Sequence, residues 1–126
     1  MSQWLARPEH MSYWDRQLLA YLMEDKLTAA APESWADFGE RVAAARSFIQ
    51  HSNAQRILVI SSGGPIGMMG RQVLQAPASI AIELNLQVKN TSFSHYYFNQ
   101  QSVQLASFNN IPHLDLPGRL DSISYG

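Results

Sequence analysis

The N-terminal quarter of the chain has the apolar periodicity of an amphipathic helix. Between about Glu9 and Leu27, large apolar side chains recur on one helical face: Trp14, Leu18, Leu19, Leu22 and Met23. A short link of small residues follows and ends in Pro32. Because proline disfavours helical backbone in the residue before it, the pattern predicts that this helix stops ahead of the link.

A second helix is predicted from Ser34 to about His51. Ser34 has the character of an N-cap, and Asp37 lies three residues on, in the position of a capping box. Apolar residues then return at helical spacing at Trp35, Phe38, Val42 and Ile49, while the outward face carries Glu40, Arg41 and Arg46. This division between an apolar and a charged face indicates a helix that packs on a core along one side.

The pattern changes after Arg56 from helical to extended. Ile57–Ile60 is an unbroken apolar run, mostly β-branched, which is typical of a strand buried on both faces. The polar and glycine-rich sequence Ser61–Pro65 ends it, and Pro65 suits the first turn of a helix that continues to about Gln75. A further short helix is predicted after Pro77.

The last third of the chain predicts a β-hairpin. Thr91–Phe98 and Ser102–Phe108 are rich in aromatic and β-branched residues, and Asn99–Gln101 joins them. Residues 111–126 are expected to be mainly loop. The element order therefore predicts a layered helix–sheet–helix α/β fold with a mixed sheet and a C-terminal hairpin. One buried strand plus a hairpin makes a thin sheet for such a fold.

The composition is that of a globular domain and disfavours nucleic-acid-binding and membrane-spanning proteins. The 126 residues suit one domain, and 46% hydrophobic with 15% charged residues is a globular balance. A net charge of −1 gives no general attraction to nucleic acid. No apolar run approaches the ~20 residues of a membrane span, and the N-terminus lacks a signal-peptide pattern. The absence of cysteine excludes a thiolate nucleophile or disulfide and fits a cytoplasmic protein.

The candidate chemistry lies in the turn after the apolar run. Ser61, Ser62, Gly63 and Gly64 connect a predicted strand to a predicted helix, so free backbone amides at the helix start favour an anion there. We predict that these four residues bind phosphate, with a phosphate-containing small molecule as ligand. A tight strand–helix connection without a ligand is the alternative. No lysine follows the glycines as in a Walker loop, and the spacing fits neither a dinucleotide fingerprint nor a nucleophile elbow.

The four histidines do not form a metal or catalytic cluster along the sequence. His10, His51, His95 and His113 are far apart, and none lies three or four residues from another histidine or a carboxylate in a ligand-like group. Surface roles are expected for them. The sequence therefore predicts no metal and no cofactor.

Several segments, taken in order, resemble the histidine phosphatase (phosphoglycerate mutase-like) superfamily. They are the Trp35–Ile49 helix, the Arg56–Ile66 strand and turn, the helix Gly67–Gln75, Lys89–Ser92 (similar to an Asn-x-Ser strand entry), and Leu105–Leu114, which is similar to a closing Phe-Asn-x-x-x-His-Leu segment. The resemblance covers about Pro32–Leu114 and implies the C-terminal part of that domain. It further implies phosphoryl chemistry through a phosphohistidine, with arginines around the phosphate.

The chain departs from this family pattern at its catalytic residues. It contains no Arg-His-Gly motif, which carries the family's nucleophilic histidine, and Ser62 stands where a second histidine is expected. We therefore expect a single, incomplete and inactive domain over residues 1–126, with no catalytic residue, and self-association through an open strand edge. A non-enzymatic binding module on the same scaffold is the main alternative. An unrelated small α/β binding protein is the third.

Overall fold

The computed structural model describes residues 33–126. In chain order, the elements are α1 (Trp35–Gln50), α2 (Gly63–Val73), α3 (Ser79–Gln87), β1 (Phe93–Phe98), β2 (Val103–Asn110) and a 3-10 turn (Leu120–Ser122). The α/β class is confirmed, and so are three of the predicted helices and the hairpin. The helix predicted at Glu9–Leu27 lies outside the described residues.

Helix α1 begins at the predicted cap. The Asp37 amide donates to Ser34 Oγ at 3.0 Å, which satisfies one of the free amides of the first turn. Arg41 donates to both carboxylate oxygens of Glu33, at 2.5 and 3.3 Å, and this pairing raises the pKa of Arg41. The predicted and observed helices differ by one residue at the C-terminus.

Helices α2 and α3 pack at unusually short range because α2 presents glycines to α3. A Cβ atom added at Gly67 would lie 2.5 Å from the Ala81 carbonyl oxygen and 2.8 Å from the Asn85 amide nitrogen. One added at Gly70 would lie 3.0 Å from Leu84 Cδ1. Real Cβ atoms do not approach backbone so closely, so the two helices meet as they do only because Gly67 has no side chain.

The core is small and joins the three helices. Val42 of α1, Met68 of α2 and Ala81 of α3 are buried together, with Trp35, Phe38 and Met69 packed around them. The Gln72 side-chain amide donates to the Gly39 carbonyl at 2.8 Å and ties α2 to α1.

The hairpin strands pair antiparallel, with Phe98 opposite Val103 and Tyr96 opposite Leu105. The pairing is irregular on either side of His95. Burial alternates along β1 and along β2 as far as Ser107, so one face of the hairpin lies towards the protein, where Phe108 approaches Gly70 of α2.

Asn109 joins the end of α3 to the hairpin. Its side-chain oxygen accepts from the Lys89 amide at 2.8 Å, and its side-chain nitrogen donates to the Gln87 carbonyl at 2.6 Å. Its backbone has a φ of 62°, a left-handed conformation that asparagine tolerates better than most residues.

The C-terminal tail is irregular, as predicted, yet it is anchored. The Asn90 amide donates to the Ser124 carbonyl at 2.8 Å, and Lys89 forms an isolated antiparallel bridge with Tyr125. Ile123 is buried. The tail thus covers the start of the hairpin.

The prediction of a buried strand at Ile57–Ile60 is wrong for the described part of the chain. These residues pair with no strand there, and the only sheet found in residues 33–126 consists of β1 and β2. Leu58 and Ile60 are 82% and 91% exposed. A run that is apolar on both faces becomes a buried strand only where neighbouring strands and helices cover it, and residues 33–126 do not supply them. The mixed sheet is therefore absent from this part of the chain.

Candidate functional site

The turn before α2 presents free backbone amides, as the sequence predicted. Ser62 is the N-cap, with extended backbone (φ −111°, ψ 172°), and its carbonyl accepts from the Ile66 amide at 3.1 Å. Pro65 has no N–H, and the amides of Gly63 and Gly64 make no hydrogen bond within the described residues. The Ser62 hydroxyl makes no capping bond either. Two amides and one hydroxyl are thus available at the positive end of an eleven-residue helix.

The four predicted phosphate-binding residues occupy this turn in different ways. Ser61 and Ser62 are exposed, whereas Gly63 and Gly64 are half-buried. A Cβ atom at Gly64 would only touch Phe38 of α1, at 3.7 Å. One at Gly63 would collide with Asn85 Oδ1 of α3. The turn therefore lies between α1 and α3 and opens to solvent at its serines.

Asn85 is a residue of the candidate site that sequence reasoning missed. Its side-chain amide lies against Gly63, at the first position of α2, although 22 residues separate the two in the chain. The spacing of Gly63, Gly67 and Gly70 on one helical face could have predicted a close neighbour for α2. Nothing local to Asn85 indicates that it is the residue placed there.

The arginine side chains form no hydrogen bond or ion pair with the turn within residues 33–126. Arg56, Arg71 and Arg119 are among them, and Arg119 instead donates to the His113 carbonyl at 3.0 Å. In the described part of the chain, the groups at this turn that can attract an anion are backbone amides, the helix dipole and hydroxyls.

The three described histidines have separate local partners. His51 Nδ1 lies 2.8 Å from the Ser47 carbonyl oxygen, and His113 Nε2 lies 2.8 Å from Thr91 Oγ1. His95 packs against Tyr97 in the adjacent outward position of β1. Among residues 33–126 there is no group of three or more side chains suited to hold a metal ion. His10 lies outside the described residues.

One further titratable group is perturbed, but away from the turn. Burial raises the pKa of Tyr96, whose hydroxyl is buried without a hydrogen-bond partner beside Gly70 and Phe108. The phenol therefore stays neutral at physiological pH, and it lies on the hairpin side of α2. No helix in the described region is long and apolar enough to cross a bilayer.

The comparisons with known proteins give the family. The family model of the histidine phosphatase superfamily (branch 1) matches residues 4–111, which is most of the chain and extends further towards the N-terminus than the resemblance over Pro32–Leu114. A search of curated proteins found no match, and neither did a search of solved structures. The match over residues 4–111 is sufficient on its own: the chain belongs to the histidine phosphatase superfamily.

Proposed function

We propose that this chain is a phosphatase-lineage domain that binds a phosphate group weakly at Ser61–Gly64 and does not turn over phosphomonoesters. One observation carries the proposal. The chain belongs to a phosphoryl-transfer family, yet its sequence has no Arg-His-Gly motif and has Ser62 at the place of the expected second histidine.

The chemistry of the reaction explains why these residues decide the outcome. A phosphohistidine mechanism needs an imidazole in line with the phosphorus atom and cations around the three phosphoryl oxygens. The described histidines each have local partners away from the turn, and no arginine forms a hydrogen bond or ion pair with it within residues 33–126. Ser62 can hydrogen-bond a phosphate oxygen, but a hydroxyl supplies no positive charge and does not titrate near neutral pH.

What remains at the turn supports binding without catalysis. The free amides of Gly63 and Gly64 and the hydroxyl of Ser62 lie at the N-terminus of α2. An exposed helix N-terminus stabilises an anion by about 0.3–1 kcal/mol, which alone corresponds to a dissociation constant for phosphate of about 0.2–0.6 M. The small phosphate-containing ligand is therefore held by backbone groups, and the identity of the side chains contributes little.

The open apolar run at Ile57–Ile60 supports the further proposal that residues 1–126 form an incomplete domain. Its side chains have the composition of a covered strand, but the described residues leave Leu58 and Ile60 exposed. The same exposure favours the second candidate, a non-enzymatic module on this scaffold, because an exposed apolar segment with extended backbone can also bind a partner chain.

An activity assay tests the proposal. We expect the purified 126-residue chain to release no phosphate from generic phosphomonoesters above a buffer control, since its sequence lacks the Arg-His-Gly motif that carries the nucleophile. A second experiment looks for the covalent intermediate: the chain is incubated with a phosphoryl donor, and its peptides are mapped for phosphohistidine. Hydrolysis that survives repurification and scales with protein concentration would contradict the proposal, as would a phosphoramidate mapped to any of the four histidines.

A further inference from the structure

We draw no further inference here: the strongest candidate, the exposed apolar surface patch of Ile57–Ile60 ahead of α2, carries nothing beyond the proposals above, because nothing in the described part of the chain shows what covers it.

Discussion

At the scale of single residues, the structure depends on a few side chains whose partners are distant in the sequence. Asn109 combines a left-handed backbone with hydrogen bonds to Lys89 and Gln87, and Asn85 fills the space beside Gly63. Asn109 lies inside the segment that carried the family resemblance, but its bonding could not be read from that segment. Such contacts depend on how α3 and the hairpin are placed, which local patterns do not specify.

Substitution of Asn109 separates its hydrogen bonds from its backbone conformation. Asn109→Ala removes both side-chain hydrogen bonds. It also puts alanine, which tolerates left-handed backbone less well than asparagine, at a positive φ. The free energy of unfolding should therefore fall by about 2–4 kcal/mol. Asn109→Gly loses the same bonds but tolerates the backbone, and its loss should be about 1 kcal/mol smaller. Urea denaturation of both variants measures the difference. If glycine is as harmful as alanine, the positive φ contributes nothing to the role of Asn109.

At the scale of elements, local patterns predicted what local interactions determine. Periodicity and turn chemistry predicted three features that the structure contains. They are the cap at Ser34, the helix with Pro65 in its first turn, and the hairpin around Asn99–Gln101. Ile57–Ile60 differs because strand formation depends on neighbours, and an apolar run does not show whether they are present. The sequence pattern indicates a ligand site at Gly63 and Gly64, whereas the structure shows that Gly63 and Gly67 allow α3 to approach α2.

The contact between α2 and α3 predicts opposite outcomes for two glycines of one helix. Gly67→Ala places a methyl group against the backbone of Ala81 and Asn85, so the helices must separate, at a cost of about 1–3 kcal/mol in the free energy of unfolding. Gly64→Ala meets only Phe38 at an ordinary contact distance and should be neutral or stabilising by up to about 1 kcal/mol. Equal effects of the two substitutions in thermal or urea unfolding would contradict the packing described here.

At the scale of the whole molecule, the chain has a family scaffold, and we propose that its phosphate site binds without catalysing. The family match and the α/β architecture agree with the sequence-based expectation, and the turn before α2 has free amides at Gly63 and Gly64 within the described residues. Backbone amides do not depend on side-chain identity, so phosphate binding at this turn can persist where catalysis does not. Phosphate binding at this turn therefore depends on the amides of Gly63 and Gly64.

A phosphate titration monitored by backbone amide NMR tests directly whether the amides of Gly63 and Gly64 bind an anion. We predict that phosphate at about 100 mM shifts the resonances from Ser62 to Gly64, and that sulfate at equal ionic strength acts similarly while chloride has a smaller effect. Ser62→Ala should weaken binding only slightly, because it removes one hydroxyl and leaves the amides in place. If the Gly63 and Gly64 amide resonances do not move and the shifts cluster around Arg56 or Arg119, phosphate does not bind at this turn. Ser61–Gly64 would then be only a connection between Ile60 and α2.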